Sequence, residues 1–98
     1  MMFRQWTQCM LELVASRSAA SFSQSLPAAV EATRELRKHQ RWMGRARWKA
    51  IDDLTEHLLD EIESQEALGK IRPPGAQEVQ AIVRIVCYLA WLPLGDGS

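Results

Sequence analysis

Three features of the sequence predict an all-α protein: three helices in a single domain over residues 1–98, paired as a helical dimer. Apolar residues recur at three- and four-residue spacing through most of the chain, the period of a helix with one buried stripe, and no segment alternates as a half-buried strand does. Proline and glycine concentrate at Pro73-Pro74-Gly75, where they separate helices by fixing φ and removing an N–H donor. A hydrophobic share of 47% beside 24% charged residues is that of an ordinary soluble globular chain.

The first helix is a short amphipathic leader from Met2 to about Ala15, because Met2, Phe3, Trp6, Cys9, Met10, Leu13 and Val14 share one side. Residues 16–25 hold five serines and read as a flexible linker with Phe22 as its anchor. A long helix is then expected to open at Ser25 and Pro27, since proline suits a first turn that has no N–H partner to lose, and Glu31 follows close behind. It runs to about Ala67, straight or kinked at Gly44, with Ala29, Ala32, Leu36, Met43, Ala50, Ile51, Leu54, Leu58 and Ile62 on one apolar arc. Gly69 is its natural stop. The last helix opens at Ala76, carries Glu78 in its first turn and ends before Pro93. Its polar strip is only Gln77, Gln80 and Arg84, so the sequence asks for this helix to be covered all round, in part by two amphipathic helices and for the rest by a second subunit or another protein.

The charged arc of the long helix changes sign halfway. Arg34, Arg37, Lys38, Arg41, Arg45 and Lys49 precede Asp52, Asp53, Glu56, Asp60 and Glu63 on the same side. Arg37, Arg41, Arg45 and Lys49 follow one another at i, i+4, where like charges repel by roughly 0.2–0.5 kcal/mol per pair, and Lys49 with Asp53 is the one local relief. The acids also crowd the C-terminal end, where the macrodipole disfavours them. A second copy laid antiparallel about Lys49–Asp53 sets each basic half beside an acidic half, a self-complementary two-fold contact that makes Arg41, Arg45, Lys49, Asp53, Glu56 and Asp60 the expected dimerisation residues. Length points the same way. A helix of this size is about 60 Å long at 1.5 Å per residue, more than so short a chain can cover alone.

Composition narrows the function. Twelve basic and twelve acidic side chains leave a formal net charge of zero, unlike the basic balance of a protein devoted to nucleic acid. The stretch Arg34 to Lys49 nevertheless interleaves seven basic residues with Trp42 and Trp48, so a helical nucleic-acid-binding protein using residues 34–49 is the alternative reading. Cys9 and Cys87 are too few and too far apart for a disulfide scaffold or a CxxC site. No apolar run approaches the ~20 residues of a membrane span, and Gln8 and Glu12 interrupt the first one, so a cytoplasmic chain without membrane contact is expected. His57 has Asp53 and Glu61 one turn to either side, but Leu54 stands where a Glu-x-x-His metal pair needs its glutamate. With no phosphate loop, nucleophile elbow or Cys/His dyad, the expectation is no catalytic residue, no metal, no cofactor and no enzyme activity.

What remains is contact with another protein. Trp48 and Leu59 project from the charged arc, and Arg84, Tyr88, Trp91 and Leu92 extend the last helix toward its end; Tyr, Trp and Arg are the types most enriched at interface hot spots, which makes these six the expected partner-binding residues. The order of amphipathic leader, long helix with Glu31-Ala32-Thr33-Arg34-Glu35-Leu36-Arg37, Pro/Gly break and apolar helix ending Leu89-Ala90-Trp91-Leu92-Pro93 resembles the TraM-type quorum-sensing anti-activators. In that family a small helical dimer binds a LuxR-type transcription activator and keeps it inactive. The resemblance implies a regulator that acts by protein contact alone.

Overall fold

The computed structural model describes residues 2–16, 18–39, 47–69 and 75–91, apart from the side chains of Met2 and Arg47. Among them are four helices and no strand: α1 (Met2–Val14), α2 (Ala19–His39), α3 (Arg47–Ala67) and α4 (Ala76–Trp91). None is long and apolar enough to cross a membrane. The all-α class agrees with the sequence; the expected count of three helices does not.

α1 buries Trp6, Met10 and Leu13, one stripe at i, i+4 and i+7, chiefly against α2 and more lightly against α3. Phe3 spreads that contact by meeting Trp6 at 5.6 Å and the edge of His57 on α3 at 5.0 Å between ring centroids.

α2 begins at Ala19, well ahead of the expected start at Pro27. Its cap is Ser18, whose Oγ accepts the Ser21 N–H at 3.1 Å, an N-terminal arrangement worth about 1 kcal/mol. The serine stretch expected to be a flexible linker is thus helical from residue 19 onward, with Phe22 and Leu26 packed against the core. Pro27 lies inside the helix, at a cost of about 3 kcal/mol in a regular interior. Both Pro27 and Ser23, whose carbonyl loses its N–H partner, are exposed, so that oxygen lies on the solvent side. Ala29, Val30, Thr33 and Leu36 form the buried face, while Arg37, Lys38 and His39 occupy the last turn, where cations oppose the helix dipole favourably.

α2 and α3 do not make one straight rod. The molecule's longest principal extent is 42 Å, against the roughly 60 Å such a rod needs at 1.5 Å per residue. Residues 40–46, with the expected kink at Gly44 and the stripe residue Met43, lie outside the described residues. On α3 the expected stripe is in place, with Ala50, Ile51, Leu54, Leu58 and Ile62 buried. Thr55 is buried among them and its hydroxyl donates to the Ile51 carbonyl at 2.8 Å. Gly69 ends the helix at φ +71°, a left-handed conformation open to glycine, and its N–H reaches the Glu66 carbonyl at 2.8 Å.

α4 starts where the sequence places it, with the Gly75 carbonyl accepting the Val79 N–H at 3.0 Å. Val79, Val83, Val86, Cys87 and Ala90 are its buried stripe and lie chiefly on α2 and α3. Burial pushes the Cys87 thiol up to about 12, so it is a protonated core group and not a nucleophile. Within one chain α4 is covered on one side, and the remainder is the part that the sequence leaves to a second subunit or another protein. Two neighbouring helices can enclose one stripe, and Ile85 and Tyr88 remain exposed.

Candidate interaction surface

The bare face of α4 continues onto the first turn of α3. Trp48 sits on the flank of α3 beside its buried stripe and is 65% exposed. Ile85 is 48% exposed and Tyr88, three residues on from Ile85 and four from Arg84 on one side of α4, is as exposed as Trp48. Arg84 joins the two helices, its guanidinium carbon lying 5.3 Å from the centroid of the Trp48 ring. Stacking of this kind holds a cation over an aromatic face while leaving its in-plane N–H donors directed outward. Among the described residues no carboxylate bridges Arg84.

Of the expected partner-binding residues, the structure brings Trp48, Arg84 and Tyr88 together on this face. Leu59 is elsewhere: it is half-buried and packs against the core, because its place beside the buried stripe turns it inward. Trp91 is also half-buried, with the Arg37 guanidinium carbon 5.2 Å above its ring. Leu92 lies outside the described residues. Ile85 is the member that sequence reasoning missed. Its signal was present, one turn before Tyr88, but was hidden in a helix read as apolar all round.

The basic residues of α2 serve the end of α4. Arg34 donates through Nη2 to the Leu89 carbonyl at 3.1 Å, and Arg37 through Nη1 to the Ala90 carbonyl at 3.3 Å. These oxygens belong to the last turn, where no further helical N–H can reach them. Lys38 pairs with Glu35 at 3.7 Å and Lys49 with Asp53 at 3.2 Å. Every lysine and arginine between 34 and 49 whose side chain is described therefore has a partner within the chain.

Of the expected dimerisation residues, Arg41 and Arg45 lie outside the described residues. Lys49, Asp53, Glu56 and Asp60 line one open groove of about 430 Å³ together with His57. A second groove of about 450 Å³ runs between α1 and α3 and shares His57 and Asp60. Among the described residues no three His, Cys, Asp or Glu side chains converge as metal ligands. Cys9, half-buried on α1, has its thiol pKa raised by burial and then by Glu12, which disfavours the thiolate.

Compared with known proteins, the chain matches no family model, no curated protein and no solved structure.

Proposed function

We propose that this chain is a small helical regulatory protein that binds another protein through the α3–α4 face and inhibits or sequesters it. The observation that carries the reading is the group of Trp48, Ile85 and Tyr88, three large apolar side chains left in water around one arginine. Scattered single apolar residues are normal on a surface, whereas a Trp against an arginine with a Tyr one turn along has the composition of an interface hot spot. The sequence resemblance to TraM-type anti-activators, carried by residues 31–37 and 89–93, makes a LuxR-type quorum-sensing transcription activator the specific form of the proposal. The nucleic-acid alternative has less support, since the described lysine and arginine side chains from Arg34 to Lys49 are engaged internally and α3 adds a run of acids beyond them.

The test is capture from nuclease-treated extract of the native host, with the full chain beside Tyr88→Ser and Ile85→Ser. Both residues are exposed, so melting temperature should hardly move, while a hot-spot truncation costs about 2 kcal/mol or more, roughly a thirtyfold loss of partner. Retention of the same protein by both variants, or its loss on nuclease treatment of wild type, sinks the reading.

A homodimer belongs to the same proposal. Its support is the row of Lys49, Asp53, Glu56 and Asp60, four of the expected dimerisation residues, along one open groove. Sedimentation equilibrium should give twice the chain mass, with weaker association at high salt and for Lys49→Glu. A monomer under all these conditions removes the dimer from the proposal.

A further inference from the structure

We infer that the occupant of the α3–α4 face is a single amphipathic helix of the partner, carrying apolar anchors and a carboxylate that closes on Arg84. This rests on the reading of that face as a protein contact, and three physical arguments lead from the face to its occupant.

Area limits the size. A Trp and a Tyr exposed to about two-thirds and a half-exposed Ile offer on the order of 300–400 Å² of side-chain surface, given 150–250 Å² for a whole aromatic side chain. A stable interface between two globular surfaces needs about 800 Å² per partner, so this face suits one segment better than a second folded domain. Two copies of the face brought together would also set Arg84 against its own equivalent.

Backbone chemistry sets the conformation. Most of the face is α4, where the N–H groups from Ala81 to Tyr88 and the carbonyls up to Cys87 are already paired along the helix. An extended segment pressed onto it would bury main-chain groups with nothing to bond. A helix brings its backbone satisfied and presents side chains at i, i+4 and i+7, which matches the run Ala81, Ile85 and Tyr88 along α4.

Charge sets the composition. Any apolar surface that covers Trp48, Ile85 and Tyr88 also takes water from Arg84 between them. A guanidinium desolvated without a counter-charge is strongly unfavourable, and Asp52, one turn on from Trp48, makes no bridge to it. The occupant must therefore supply the carboxylate. A guanidinium can meet such a carboxylate with two parallel N–H donors.

The probe is a displayed library of single amphipathic helices, randomised along one face and selected on the full folded chain. Counter-selection uses Tyr88→Ser. Enrichment of Asp or Glu about one turn from large apolar positions is the expected result. A selected peptide should lose about tenfold to a hundredfold in affinity when that acid becomes the amide, as for other hydrogen bonds to charged groups. Against Arg84→Met, which keeps an apolar stem over Trp48, acid and amide peptides should bind alike. Selected helices with no acid preference, or with one that survives Arg84→Met, overturn the inference. So does sedimentation showing a dimer that Tyr88→Ser dissolves, which makes the occupant a second copy. If no helix is selected while host extract still yields a partner lost in Tyr88→Ser, the inference fails and the interface reading stands. Failure of both experiments removes both.

Discussion

Trp6→Ala is expected to lower the unfolding free energy by about 3–5 kcal/mol, as for other buried tryptophan truncations. A domain of this size has only roughly 5–15 kcal/mol in all, so the variant should stand near the edge of folding. Trp6 is fully buried, touches Phe3 and passes its indole N–H to Thr33 Oγ1 at 2.9 Å. Thr33 in turn donates to the Ala29 carbonyl at 2.7 Å, so one hydroxyl serves both α1 and its own helix. The hydrogen bond can be separated from the packing. Thr33→Val keeps the shape but strands a buried indole donor, which should cost about 1–3 kcal/mol. In a Trp6→Phe background there is no indole to strand, and the same change should cost much less. Urea unfolding followed by far-ultraviolet circular dichroism checks both. Equal costs of Thr33→Val in the two backgrounds would show that the buried hydrogen bond contributes nothing specific.

The stripe residues of the first and long helices were legible because burial follows helical period: Trp6, Met10, Leu54 and Leu58 could be placed inward without knowing their neighbours. Boundaries depended on more. Serines at 16–25 favour turns by composition, yet a serine is also among the best N-caps, and Ser18 caps a helix because Phe22 and Leu26 find a core to enter. That core is made with α1 and α4, the helices on which α2 packs, and no local window contains them. The charge blocks are the more instructive case. Read as one long helix, a basic start and an acidic end oppose the macrodipole; with α2 ending at His39, Arg37, Lys38 and His39 stand at a C-terminus, where they are favoured. The basic half of the misfit was the sign of a boundary, while the acids still stand toward the C-terminal end of α3. On the interaction face, Trp48, Arg84 and Tyr88 were identifiable from residue type and helical phase, while Leu59 was misplaced because the width of the buried arc depends on how closely α4 packs. The service of Arg34 and Arg37 to carbonyls 55 and 53 residues onward was not legible at all, since nothing in their spacing points there.

Replacing both of those arginines, Arg34→Met with Arg37→Met, is expected to lower stability by about 2–4 kcal/mol, and the result bears directly on function. A hydrogen bond to a charged group is worth ~1.5–3 kcal/mol, and each of these also meets the negative end of the α4 dipole. The sum is discounted because Arg37 is exposed and because the buried Arg34 Nε has no protein partner. Arg34 should matter more, its side chain being only 23% exposed and its bond to α4 the shorter one. Lys38→Met is the internal comparison. Lys38 holds only a surface pair with Glu35, worth ~0–1 kcal/mol, so it should hardly change the unfolding midpoint. A run of basic residues serving phosphates would behave otherwise: Arg34, Arg37 and Lys38 would each reduce the salt dependence of nucleic-acid binding by about 0.9 per phosphate on duplex DNA, with little effect on stability. Unequal losses of stability, large for the arginines and negligible for the lysine, with no retardation of DNA or RNA by the wild type at low salt, would assign the basic turn of α2 to holding α4. Equal effects on nucleic-acid binding with an unchanged unfolding midpoint would instead move residues 34–49 to the front as the functional surface.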